Sequence, residues 1–270
     1  MSASLWPAFI TELDRWSAAG LTLRLWLRDD DAVAPTPALS RLAALAERFA
    51  APVLLAVIPM QAEPALAQAL RAMPALLPCQ HGCHHRNQAP PGAKKSEFPA
   101  ARGAEAVDAE IALARARLTD LLADALLPVF VPPWNRIDPA HAARLPALGF
   151  AGLSCFRDDV VLQKEGPALL PTHLDVMDWK RGRVGRVHDD LLAELLGLLA
   201  RRREAGAGTS AAGGTLGVLL HHRDHDDIVW SFLDALLERA AAHPSVSVAD
   251  PRDLLADAGR RSWIARDGRL

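Results

Sequence analysis

The feature that most restricts this chain is an alternation. Short apolar-rich runs take turns with longer stretches whose apolar residues recur at helical spacing. Runs at 21–27, 52–58, 76–80, 127–131, 150–154, 169–174 and 216–220 read as strands, and Val246 with Val248 marks a last short one. Leu39, Leu42, Leu45 and Phe49 line one helix face. Val107, Ile111, Ala114, Leu118 and Leu122 line a second, and Val229, Phe232, Leu233, Leu236 and Leu237 a third. Leu5, Phe9 and Leu13 mark an amphipathic helix at the start. Further helices are predicted over 189–202, for about three turns from Glu63, and from Pro139, whose fixed φ suits a first helical turn.

Repeated βα units of this kind bury their apolar faces as a parallel sheet with helices outside. The strands are too many and too evenly spaced for separate small domains, so residues 1–270 read as one domain. A closed or nearly closed α/β barrel fits best, with an open doubly wound sheet as the alternative. Half of the residues are hydrophobic and Tyr is absent, so the core is expected to be mainly Leu, Ala and Val, with Trp6, Trp16, Trp26 and Trp230 as packing residues. Two stretches lack periodicity. Residues 88–99 read as a substrate-side loop, in which Lys94, Lys95 and Glu97 are solvated or touch substrate, and 205–214 as a Gly-, Ala- and Ser-rich connector.

Charge and cysteine usage exclude several partner classes. The formal net charge is −2 and no basic stripe is present, so nucleic acid is not expected. Arg201, Arg202 and Arg203 end a helix, where the dipole favours cations. Apolar stretches are interrupted by Pro, Arg or Asp, so no membrane span is expected. The N-terminus shows no basic segment ahead of an apolar one, and Cys79, Cys83 and Cys155 make no disulfide framework; a cytoplasmic setting is the expectation.

The polar clusters fall at strand ends. Asp29–Asp30–Asp31, His81–Gly82–Cys83–His84–His85, Pro132–Pro133–Trp134–Asn135, the segment 175–179 and His221–His222 each follow a predicted strand. In parallel α/β barrels these ends form one mouth, where the site assembles. His81 and His85 share one side if they lie on a helical turn. Two imidazoles plus a carboxylate make a facial metal site with open positions, suited to zinc and also to iron, manganese or cobalt. Three adjacent aspartates repel one another unless cations compensate, although one of them could simply cap a helix. Cys79 and Cys83 could instead join a histidine in a structural zinc site, but no second pair of suitable spacing accompanies them. His225, Asp226 and Asp227 are read as capping the following helix or rimming the site.

Taken in order, these motifs resemble the polysaccharide deacetylases, also called carbohydrate esterase family four. The resemblance runs from about Arg28 to His222. It implies a distorted (β/α) barrel of mainly parallel strands with outer helices, and a hydrolase that removes N-acyl groups, N-acetyl above all, from sugars or related small amides. It implies Asp30 as base and Asp31 as metal ligand, with Asp29/Asp30 as the other register. HGCHH matches the family's His-x-x-x-His through His81 and His85, ligands to a divalent metal, zinc first. In VPPWN, Pro133 and Trp134 match the third motif, but Val131 stands where the family has an Arg that orients the base. Arg136 does not match that position. The fourth motif implies Asp178 as the partner of a catalytic histidine and Trp179 as a wall of the acyl pocket. The fifth implies His221 or His222 as the acid. The Trp134 N–H would serve the oxyanion, because Pro132 and Pro133 have none, with Pro133 and Asn135 beside the substrate. The missing Arg leaves a second reading, a degenerate member that binds carbohydrate without turning it over.

Overall fold

The structure, a computed structural model, describes residues 4–157, 166–206 and 214–258. The strands are β1 (Leu23–Ala32), β2 (Val53–Val57), β3 (Leu76–His81), β4 (Val129–Val131), β5 (Gly152–Leu153), β6 (Ala168–Leu169), β7 (Leu174–Asp175), β8 (Met177–Asp178), β9 (Val184–Gly185), β10 (Thr215–Leu220) and β11 (Val246–Val248). The helices include α1 (Trp6–Ala18), α2 (Pro37–Arg48), α3 (Pro64–Leu70), α4 (Ala104–Leu122), α5 (Pro139–Ala142), α6 (His188–Glu204) and α7 (Asp227–Ala242), and residues 251–258 are helical as well. The main sheet runs β6-β5-β4-β3-β2-β1-β10-β7, with β11 on the lower half of β1. Its pairings are all parallel. β8 and β9 form a separate antiparallel ribbon.

The two ends of this curled sheet belong to one stretch of chain. Residues 168–172 pair with the β5 side, through Leu170 N–H to Leu153 O (2.9 Å) and Thr172 N–H to Cys155 O (2.9 Å). The next residues pair with β10, through His173 N–H to Gly217 O (2.7 Å) and Val176 N–H to Leu219 O (3.2 Å). The sheet therefore curls into a distorted barrel, as the βα alternation predicted. The expected strand at 169–174 is split into β6 and β7 around Pro171, which has no N–H to donate.

Alternation along β1 sorts its side chains. Leu23, Leu25 and Leu27 pack outward against the helices, in one core with Leu13 and Trp16 of α1, Leu39 and Leu42 of α2, and Phe232 and Leu236 of α7. Trp26 points inward with Leu54, Ala56, Cys79, Val129, Val131 and Leu170, so the barrel is packed rather than hollow. Arg28 and Asp30 continue this inner face toward the strand's C-terminal end, where both are buried.

Local signals set the helix starts. Thr36 accepts from Leu39 N–H at the head of α2, and Asp226 accepts from Val229 N–H at the head of α7, the capping role expected for the acidic pair there. α4 buries Val107, Ile111, Ala114 and Leu118, as its spacing predicted. Two helices are shorter than expected. α3 has seven residues rather than three turns, because Pro74 disfavours helical backbone just before it. α5 spans four residues before the chain tightens into a 3-10 turn ending at Gly149. Most of the 205–214 connector lies outside the described residues. No helix among the described residues is long and apolar enough to cross a membrane.

Packing inside the barrel is close enough to forbid small additions. A Cβ at Gly217 would sit 2.6 Å from Trp26 Nε1 and 2.9 Å from the Pro171 carbonyl oxygen. Gly217→Ala is expected to lower stability by about 1–3 kcal/mol, read as a reduced urea midpoint at unchanged slope; an unaltered midpoint would show that this layer yields.

Candidate active site

The three consecutive aspartates end β1, and each faces a different partner. Asp29 turns to His222: its Oδ1 lies 2.5 Å from His222 Nδ1, and its Oδ2 accepts the His222 N–H at 2.7 Å. Both side chains are fully buried. Burial alone would push the Asp29 carboxyl up and the His222 imidazole down. Their attraction and hydrogen bonds outweigh it, so Asp29 lies below its ordinary value and His222 above.

Asp30 turns inward to Arg28. Arg28 Nη2 donates to Asp30 Oδ2 at 2.9 Å and to Asn135 Oδ1 at 2.5 Å, while Nη1 donates to Ser154 Oγ at 2.8 Å. The guanidinium is fully buried and ties β1 to the ends of β4 and β5. Asp30 Oδ1 is buried without a partner. The carboxylate for which the resemblance implies an arginine at position 131 is thus met by Arg28, two residues before it on the same strand face. Arg136 does not supply it, being exposed, with its Nη1 donating to the Lys95 carbonyl.

Asp31 takes a third direction because the strand is broken beneath it. The register with β2 shifts between Asp29 and Ala32, and Asp31 has φ 73°. Positive φ is uncommon for a non-glycine residue and concentrates at functional positions. Its Oδ1 lies 3.2 Å from both His81 Nε2 and His85 Nε2. Burial would raise the Asp31 carboxyl, but the His81 and His85 imidazoles beside it hold it far below the carboxylate range. Burial pushes both imidazoles down; Asp30 and Asp31 reverse this for His81, whereas repulsion by His81 adds to it for His85.

The histidine pair does not lie on a helical turn, as its spacing suggested. His81 ends β3, and the chain then doubles back through Gly82 (φ 54°) and His85 (φ 57°). A Cβ on Gly82 would lie 2.2 Å from Glu97 Oε2 and 2.5 Å from Pro133 Cδ. Glu97 is buried and gathers this bend, accepting from Cys83 N–H at 3.0 Å and His84 N–H at 2.7 Å. The 88–99 segment is therefore anchored at its end rather than solvated throughout. Glu97 had no sequence signal beyond a charge in a loop. Cys83 packs with Phe98, Val107 and Ile111, and Cys79 lies in the barrel interior, so the two thiols occupy separate apolar clusters rather than one zinc site.

The donor set fits a divalent cation. His81 Nδ1 lies 2.9 Å from the Val131 carbonyl, which takes a proton there and leaves Nε2 as a lone-pair donor. Asp31 Oδ1 has no hydrogen-bond partner despite its burial. One ligand atom each from Asp31, His81 and His85 lie within 4.8 Å of one another. This is an N2O set, with room for further ligands from a cleft of about 890 Å³.

The rest of the cleft draws on the other strand ends. Trp134 (φ 55°) tilts against His85, ring centres 4.5 Å apart. The next two amides donate to the Pro132 and Pro133 carbonyls, so the Trp134 N–H is the free one of that turn. Pro133 is buried beside Gly82, and Asn135 lines the cleft with its oxygen held by Arg28.

Across the cleft, Trp179 meets His221 edge-on at 4.5 Å. The His221 N–H donates to His225 Nε2 at 3.0 Å, and burial pushes His225 down to about 4, leaving it a neutral acceptor. Of the two histidines, His221 lines the cleft and His222 is committed to Asp29. Asp178 is not at the cleft: it accepts from Lys180 N–H and Arg181 N–H and closes a turn. Asp175 lines the cleft instead, accepting from Trp179 Nε1 at 2.8 Å and Met177 N–H at 2.9 Å. Burial, the leading influence, raises its carboxyl. The sequence pattern of an Asp before Trp selected the carboxylate one residue away, whereas the indole turns back to the one four residues earlier.

No family model matches the sequence, and no curated protein matches it. Solved structures do match in fold. A Mycobacterium smegmatis protein assigned to the polysaccharide deacetylases aligns with TM-score 0.64 and 14% identity, over 90% of this chain and 92% of its own. A family 4 carbohydrate esterase from Streptomyces lividans, in complex with acetate, aligns with TM-score 0.54 and 12% identity, over 85% and 93%. A family 4 acetyl xylan esterase from Clostridium thermocellum, holding a cobalt ion, gives 0.54 and 12%, over 86% and 90%. The chain has the fold of the polysaccharide deacetylases and family 4 carbohydrate esterases.

Proposed function

We propose that this protein is a metal-dependent hydrolase that removes an N-acetyl or related N-acyl group from a sugar or a small amide. One observation carries the reading: the Asp31, His81 and His85 donor set and the unpartnered Oδ1 of Asp30 face the same cleft. Asp31, His81 and His85 would hold a divalent cation, zinc first and cobalt, manganese or iron as alternatives, whose Lewis acidity would serve the acyl carbonyl and the attacking water.

The chain's own groups divide the remaining work. Asp30 takes the proton of the attacking water at Oδ1, while Arg28 on Oδ2 fixes the carboxylate's orientation. The Trp134 N–H donates to the oxygen that gains charge. His221 delivers a proton to the departing nitrogen, held in place by its backbone bond to His225 and by the Trp179 edge. Asp175, which shares Trp179 with it, stands in the role first expected of Asp178. Trp179 walls the acyl group. The alternative of a degenerate binder rested on the missing arginine; the Arg28–Asp30 contact favours the enzyme.

Protein purified without chelator is expected to carry close to one equivalent of divalent metal, and His81→Ala/His85→Ala to carry almost none. Wild type that stays metal-free and takes up no added zinc, cobalt or manganese would remove the metal step. With metal retained, Asp30→Asn is expected to lower kcat for an N-acetyl sugar or amide by about 10²–10⁴. Near wild-type turnover in that variant would rule out Asp30 as the base.

A further inference from the structure

We infer that the cleft takes an anionic substrate, one carrying a carboxylate or phosphate beside the N-acyl group. The inference rests on the deacylase reading for the chemistry, but the evidence for it is the charge around the mouth. Acids lining the cleft face guanidinium, imidazole or N–H groups within the protein. Asp30 is paired with Arg28, Asp31 faces two imidazoles, and the Asp175 oxygens accept from an indole N–H and an amide. Asp224 is paired with Arg183 at 2.8 Å.

The cations of the rim are not answered in the same way. Lys95, Arg136 and Arg223 line the cleft, all are exposed, and none has a carboxylate partner among the described residues. Their contacts are of another kind. Lys95 Nζ lies 5.9 Å from the centre of the Trp134 ring, Arg136 Nη1 donates to the Lys95 carbonyl at 3.2 Å, and Arg223 Nη1 donates to the Asp31 carbonyl at 3.2 Å. Backbone carbonyls and a ring face orient a cation without neutralising it. Two of these residues stand on the Trp134 side and the third stands beside Asp31, so they flank the reaction centre. A chain with net charge −2 has carboxylates enough to pair them, yet among the described residues these three cations face none. Loading the Asp31, His81 and His85 set with a divalent cation makes the cleft more positive still. Such a field concentrates anions and speeds their capture.

The test is titration calorimetry of metal-loaded protein with N-acetylglucosamine, its 6-phosphate and N-acetylmuramic acid, at low salt and at about 0.5 M salt, where screening is nearly complete beyond contact. At least one anionic sugar is expected to bind about tenfold more tightly than the neutral one at low salt, a few-fold from each exposed cation. The phosphate and carboxylate arms identify which anion is preferred. The gap should narrow at high salt and in Lys95→Gln/Arg136→Gln, whose two side chains are exposed. Equal affinity for the neutral and both charged sugars, no binding of either anion, or a gap unchanged in the double variant would overturn the inference. Charge preference without deacylation would leave it standing and remove the proposed activity. Deacylation of neutral and charged sugars at equal kcat/KM would do the reverse.

Discussion

The site depends on separating three adjacent carboxylates. Left together at a buried strand end, Asp29, Asp30 and Asp31 would repel one another. The fold gives each a different counterpart: His222 for Asp29, Arg28 for Asp30, and the His81/His85 pair for Asp31. Ordinary strand alternation separates the first two. The third needs a register shift and a left-handed backbone at Asp31. The strain at that residue and the metal-type donor set thus have one origin.

Arg28 has the second structural duty in this arrangement. A fully buried guanidinium is costly unless its donors are used; the two Nη groups of this one reach Asp30, Asn135 and Ser154, while its Nε has no partner among the described residues. Those residues end three different strands or turns, so the contact sets the relative height of β1, β4 and β5 as well as the position of one carboxylate. Position 131 carries Val rather than the expected arginine, and the guanidinium that meets Asp30 is built into the first strand, on the inner face, two residues before it.

Much of this was legible beforehand. The βα alternation predicted the barrel, and the strand-end clusters predicted which residues would meet, because period-2 and period-3.6 patterns report which face is buried whatever the partner. What could not be read were choices made by backbone turns. His81 and His85 meet through a bend with two left-handed residues, not through a helical turn. Asp175 rather than Asp178 reaches the cleft because the Trp179 indole folds back four residues. Glu97 looked like a solvated charge until three-dimensional folding put it under the amides of Cys83 and His84. Arg28 was visible as a residue, but Ser154 and Asn135, its partners besides Asp30, lie more than a hundred positions away.

The single segment that completes the curled sheet has a consequence for how the protein can fail. Residues 168–176 hold both the β5 side and the β10 side, and Pro171 sits between the two sets of hydrogen bonds. Among the described residues, the two sheet edges therefore meet in one seam. If that stretch peels away, two strand edges are bared together, each with a row of unpaired N–H and C=O groups ready to template a neighbouring chain. Closure of the barrel and resistance to edge-to-edge association are, in this molecule, one and the same property.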